Sequence, residues 1–191
     1  MARKKQFEEQ EILTKATNLF WKQGFHATSI QDLVNHLKIN RASLYDTFGG
    51  KEELFNKALE SYRNQNKEAI QSFLNNQSSV KEGLKNLFLL AILGEKNVQE
   101  KGCFVINCMS ELIPNNDNIL EIAIQNKKEF EGFFVEYLNK GIANGEIEPQ
   151  KNVQSIASFL FMFYSGLKVV GKTNPNKEEL RETIKVGLSV L

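Results

Sequence analysis

Three observations predict an all-α fold. Apolar residues recur at i, i+3, i+4 and i+7 through most of the chain, no stretch keeps the period-2 alternation of a strand, and only three prolines interrupt the sequence. The stripes are explicit: Ile12, Ala16, Leu19 and Phe20; Ile30, Leu33, Val34 and Leu37; Leu84, Leu87, Phe88, Ala91 and Ile92; Phe130, Phe133, Phe134, Tyr137 and Leu138. Pro114, Pro149 and Pro175 stand beside Asn or charged residues and read as helix boundaries.

Start and stop residues divide the chain into about nine helices. The first covers about Phe7 to Gln23 and ends at Gly24, a residue suited to the C′ position. Thr28 with Gln31 predicts a capping box for a short second helix ending at Leu37. Asn40 caps a third, about Arg41 to Phe48, which Gly49-Gly50 terminate, and a long fourth runs from Lys51 to near Asn75-Asn76. Ser79 with Glu82 is a second capping box, opening a fifth helix that reaches about Leu93. A short sixth lies between Gly102 and Pro114, and a long seventh covers about Asn118 to Asn144. The eighth covers about Asn152 to Gly171, and the ninth follows from Asn176. The first three are short and closely linked, so the organisation reads as a head, residues 1–50, joined through the fourth helix to a larger body, residues 51–191.

The head has the layout of a helix-turn-helix. Two short helices meet at Lys38-Ile39-Asn40, and the second offers Ala42, Tyr45 and Phe48 inward, leaving Asn40, Arg41, Ser43, Leu44 and Thr47 outward or at its N-terminal end. Arg41 is the best base reader, since a guanidinium pairs bidentately with guanine. Thr28, Ser29 and Lys51 stand at helix N-termini, where phosphates bind. The bland reading of the same segment is a solvated polar helix.

Thr28-Ser29-Ile30-Gln31-Asp32-Leu33, then Ile39-Asn40-Arg41-Ala42-Ser43-Leu44-Tyr45, then Phe48-Gly49-Gly50-Lys51-Glu52-Glu53-Leu54-Phe55 resembles the signature of the TetR/AcrR family of transcriptional regulators. Ala16, Phe20, Gly24 and Phe25 extend the match into the first helix, so the specific motif covers about the first quarter of the chain. The resemblance implies a homodimer that binds a palindromic double-stranded operator, with a helical ligand-binding and dimerisation domain behind the head. It also implies DNA contact by Thr28, Ser29, Asn40, Arg41, Ser43, Leu44, Tyr45, Thr47 and Lys51. Asp46 and Thr47 depart from the aromatic or basic residues common at those places, so no operator sequence carries over. A basic Arg3-Lys4-Lys5 start could enter the minor groove, although a solvated terminus explains it as well.

In the body, Phe130, Phe133, Phe134 and Tyr137 on the seventh helix and Phe159, Phe163 and Leu167 on the eighth are candidates for an intersubunit four-helix bundle, or simply for the subunit core. Gly102-Cys103-x-x-x-Asn107-x-x-x-Glu111 is similar to a pattern in one branch of the family. Cys103 at a helix start beside Lys101 suggests a redox- or electrophile-sensing thiolate, against the commoner fate of a buried small hydrophobe. Phe88, Cys103, Asn107, Met109 and Tyr164 are the candidate lining of a site for an unknown small-molecule effector.

Composition sets the outer limits. The 191 residues carry a formal net charge of +1, are 41% hydrophobic and include two cysteines, which excludes a disordered chain and a disulfide scaffold. No apolar run approaches the ~20 residues of a membrane span, and Met1 to Gln10 lacks the apolar core of a signal peptide. The expectation is a cytoplasmic protein with no membrane partner. Near-neutrality by itself argues against nucleic acid, but residues 1–51 hold eight Lys and Arg against five Asp and Glu, while the remainder holds 16 against 18. A basic head on a slightly acidic body depends on placed contacts more than on bulk attraction. His26 and His36 form no metal pair, no P-loop or nucleophile elbow is present, and neither a cofactor nor enzymatic activity is expected. The alternative class is a helical small-molecule-binding or protein-interaction module without DNA activity.

Overall fold

The computed structural model describes residues 9–94, 100–173 and 176–191. The basic start at Arg3, Lys4 and Lys5 lies outside the described residues, as does Pro175. The elements are α1 (Glu9–Gln23), α2 (Ile30–Leu37), α3 (Arg41–Phe48), α4 (Lys51–Asn75), α5 (Val80–Leu93), α6 (Phe104–Leu112), α7 (Asp117–Ala143), α8 (Val153–Val170) and α9 (Lys177–Leu188). Short 3₁₀ turns follow α6 and α8, and no strand occurs among the described residues.

Side-chain caps explain most of the starts. Asn40 Oδ1 accepts from the Ser43 amide at 2.7 Å, and Asn116, Asn152 and Asn176 cap α7, α8 and α9 in the same way. The capping box of α2 is one residue later than the Thr28–Gln31 pair suggests. Ser29 is the N-cap; its Oγ accepts from the Asp32 amide at 3.1 Å, and Asp32 Oδ2 accepts from the Ser29 amide at 2.9 Å. Thr28 fails as a cap because its hydroxyl is turned back to the Gly24 carbonyl, 2.6 Å away, closing the α1–α2 turn. At α5, Ser79 caps as expected, and a carboxylate from beyond α7 joins the cap: Glu146 accepts from Ser79 Oγ at 2.6 Å and from the Val80 amide at 2.9 Å.

Two apolar clusters form the interior. One joins Ile12, Ala16 and Phe20 of α1 to Leu33, Leu44, Phe48, Phe55 and Leu59, and is completed by Phe104, Val105, Cys108 and Leu112 of α6. The other joins Leu74, Leu84, Phe88, Phe134, Leu138, Leu160 and Ile184 across α4, α5, α7, α8 and α9. Helix α4 contributes its first half to one cluster and its last turns to the other, so it is a rod shared by head and body.

The long stripes of α7 and α8 turn into this second cluster. Phe130, Phe134, Tyr137 and Leu167 are buried within the single chain, and Phe133, Phe159 and Phe163 are half-buried against them. A helix packed on one side gives its most continuous apolar stripe to its own core, so the four buried residues are not available to a second copy. The outward apolar side chains are instead Leu120 and Ile124 on α7 and Met162, Val169 and Val170 on α8. Val153–Thr173 is also long and apolar enough to cross a membrane by length and composition, contrary to the reading from unbroken apolar runs; Ser155, Ser158, Ser165, Gly166 and Lys168 hide that average.

Candidate nucleic-acid interface and effector region

The turn between α2 and α3 is built by Lys38 in the left-handed region (φ 58°) followed by the Asn40 cap. It presents α3 with Leu44 and Phe48 inward and a polar outer face. The inward set differs from the one read off the sequence. Leu44 is 0% exposed, whereas Tyr45 is 43% exposed and Ala42 is also outward. In an eight-residue helix two apolar pairs, 44/48 and 42/45, compete for the core, and the larger pair of apolar volumes takes it. Tyr45 is left outside with the Arg41 guanidinium 5.9 Å from its ring centroid, a stack that holds the arginine on the exposed face.

Of the other candidate contacts, Asn40, Arg41 and Ser29 are exposed, and Ser43, Thr47 and Lys51 are half-buried. Lys51 lies at the first turn of α4 with its amine 4.3 Å from the centre of the Phe25 ring. Thr28 is fully buried and Leu44 is a core residue, so neither side chain can touch a ligand from these positions. Ser29 hydrogen-bonds hold the Asp32 carboxyl below its ordinary value, so the capping box is charged near neutral pH.

The head is tied to the body through α6. Glu111, on its last turn, accepts from the Phe25 amide at 3.1 Å and the His26 amide at 2.8 Å, both in the α1–α2 turn. The Lys101 carbonyl accepts from Trp21 Nε1 at 3.1 Å and from Asn107 Nδ2 at 2.8 Å, while Lys172 Nζ donates to Asn107 Oδ1 at 3.1 Å. Between α1 and α6 lies a cleft of about 470 Å³, lined by Trp21, Gly24, Lys101, Phe104, Asn107 and Glu111 among others. In sequence these residues share only an i, i+4 spacing, which places Cys103, Asn107 and Glu111 on one face of α6 and does not name their distant partners.

The five candidate effector residues divide between the two clusters. Phe88 and Tyr164 stack in the body with centroids 5.8 Å apart; Cys103 and Met109 pack against the head cluster, and Asn107 lines the cleft. Cys103 is half-buried at the N-cap of α6, with the Tyr62 hydroxyl 3.9 Å from its Sγ. Burial pushes the Tyr62 and Tyr164 hydroxyls upward and pulls the Lys168 amine below its ordinary value, each of the three feeling Cys103 as well. Cys108 is buried and its thiol is likewise raised by desolvation. Among the described residues, no group of three or more His, Cys, Asp or Glu is arranged to hold a metal.

Residues 12–58 match the family model described as bacterial regulatory proteins, tetR family. Over all of both chains the sequence is 31% identical to YezE of Bacillus subtilis, described as an uncharacterized HTH-type transcriptional regulator. The chain belongs to the tetR family. It is also 31% identical to the Escherichia coli HTH-type transcriptional repressor ComR, over 94% of this chain and 87% of that one. Among solved structures, a cysteine mutant of the TetR-family regulator CifR, complexed with 26-bp double-strand operator DNA, superposes with a TM-score of 0.85 at 25% identity, covering 98% of each chain. The reduced form of Escherichia coli NemR has the same fold, with a TM-score of 0.83 at 14% identity over 95% of each chain. The tetR-family match runs through α1, α2, α3 and the first turns of α4, the elements that build the exposed face of α3.

Proposed function

We propose that this tetR-family protein is a repressor that binds a palindromic operator as a homodimer and is released by a small molecule. The carrying observation is α3: a short helix, capped by Asn40, with Arg41 and Tyr45 held together on an exposed face beside Asn40 and Ser29. That arrangement suits a reading helix whose N-terminal residues reach base edges while hydroxyls and amides meet phosphate. Residues 1–50 then serve as the DNA-binding domain and residues 51–191 as the effector-binding and dimerisation domain, cytoplasmic and without enzymatic activity. The repressor ComR and the operator-bound transcriptional regulator CifR support the reading by similarity.

The dimer surface in this reading is the outward face of α7 and α8, with Met162, Val169 and Val170 at 59%, 49% and 45% exposure. Gly132 of α7 and Gly166 of α8 lie on exposed faces where an added Cβ would meet nothing within 4 Å. A mid-helix glycine costs stability, so two of them with no use inside the chain fit close helix approach by a partner. Effector entry near Phe88 and Tyr164 would tilt α4, change the separation of the two α3 helices, and so weaken simultaneous binding to successive grooves.

The test is binding to duplexes from the DNA upstream of its own gene as salt rises. Affinity should fall steeply with salt, and Arg41→Ala should relax preference at one base pair per half-site by about 1–3 kcal/mol. Salt-insensitive or absent binding would favour the helical module without DNA activity. A second reading, sensing of electrophiles or oxidants by Cys103, is favoured by its half-exposed N-cap position among Tyr62, Tyr164 and Lys168. Equal, unchanged operator affinity of wild type and Cys103→Ser after treatment with N-ethylmaleimide would remove it.

A further inference from the structure

We propose that Glu111 is the latch that passes the state of the body to the DNA-binding head; the inference rests on the operator-binding reading above. The α1–α2 turn precedes α2 directly, so its position sets where the helix-turn-helix points. Its Phe25 and His26 amides are taken up by one carboxylate, Glu111 of α6, at 3.1 and 2.8 Å, across 86 and 85 residues of sequence. A backbone amide donor to a carboxylate is a charge-assisted bond, stronger than a neutral one.

The turn is shaped to admit this carboxylate. Gly24 has φ +85°, and a Cβ there would stand 2.8 Å from Glu111 Oε2. The glycine therefore serves two needs at once, the left-handed backbone and the space for the acid.

The other end of the same face of α6 reports on the body. Cys103, Asn107 and Glu111 follow one another at i, i+4 and i+8. Cys103 sits against Tyr62 of α4, and Asn107 is held by the Lys101 carbonyl and by Lys172, which follows α8. A shift of α8 or α4 thus moves the whole rod, and Glu111 carries that movement to the turn. Glu111 is a positioning residue: it acts on DNA through α2 and α3.

Because coupling is reciprocal, DNA on the head must be felt at the far end of α6. The reporter is the rate at which N-ethylmaleimide labels Cys103, with the Cys103→Ser chain giving the background from buried Cys108. In the wild-type protein, saturating operator duplex should change this rate by about fivefold or more, the lower end of ordinary allosteric coupling. In Glu111→Ala the ratio of rates with and without duplex should fall to about 1, while the variant still binds the duplex. Should that variant melt below the assay temperature, Glu111→Gln, which keeps the length and one acceptor oxygen, is read with the same expected direction. A variant that keeps the wild-type ratio, or a wild-type protein that binds duplex with no change in labelling, overturns the latch and leaves the DNA-binding reading intact. Wild-type protein that holds no duplex in a salt-dependent way overturns that reading and the latch with it.

Discussion

The double variant Gly132→Ala, Gly166→Ala separates a chain that stands alone from one that pairs through α7 and α8, because the two cases give opposite signs. Within the single chain each added methyl meets nothing within 4 Å. Both glycines are inside long helices, so alanine should raise subunit stability by about 0.8–1 kcal/mol at each site. The sites are on different helices, and near-additivity gives about 2 kcal/mol. For a chain of this length that is a rise in melting temperature of roughly 4–8 °C. In the assembled dimer the same methyls, entered twice by symmetry, fall where helices approach closely. Overpacking of that kind costs about 1–3 kcal/mol, so the dissociation constant should rise by about fivefold or more. Sedimentation equilibrium measures the second effect, and melting across a range of concentrations separates it from the first. A double variant that dimerises as tightly as the wild type and melts higher at every concentration refutes the close approach.

Gly83 should behave in the opposite way to the exposed pair. A Cβ there would land on the Tyr137 hydroxyl, which donates to the Leu74 carbonyl at 3.3 Å, so Gly83→Ala should lower stability by about 1–3 kcal/mol in urea unfolding despite its better helix propensity. Stability equal to or above the wild type would contradict the packing described. Hydrogen bonds from Ser79 and the start of α5 hold the Glu146 carboxyl below its ordinary value. Its contribution is therefore complete above the unfolded carboxylate value near ~4.3 and is lost as pH falls through the folded value. Glu146→Gln should melt about 2–4 °C below wild type at pH 7, and the gap should close in acid. A gap that widens as pH falls would show that another interaction is responsible.

The helix boundaries were legible because they are local. Asn40, Ser79, Asn152 and Asn176 each act within three residues, and Gly24, Gly49 and Gly102 carry positive φ at the breaks. Two starts shift: α7 is capped by Asn116 ahead of Asn118, and α2 by Ser29 for Thr28, where the outcome turned on which hydroxyl the Gly24 carbonyl captures, a choice made by the turn and not by spacing. The face of α3 was misread at Leu44 and Tyr45 because eight residues hold too few periods to fix a phase. The stripes of α7 and α8 were correctly apolar, but periodicity does not say whether a stripe meets its own chain or another. Glu111 was invisible as a tether because its partners are backbone amides, which have no side-chain signature in sequence.

Trp21 is the chain's single tryptophan, and its indole lies at the meeting of α1 with α6. Its N–H is bonded to the Lys101 carbonyl, its ring meets Tyr62 edge-on at 5.0 Å, and the Lys101 amine sits 5.3 Å from its centre. Indole emission responds to the field of a nearby cation and to loss of a hydrogen bond. The protein thus carries its own optical gauge of the angle between head and body, and intrinsic fluorescence can screen candidate effectors without any label, operator or assay of transcription.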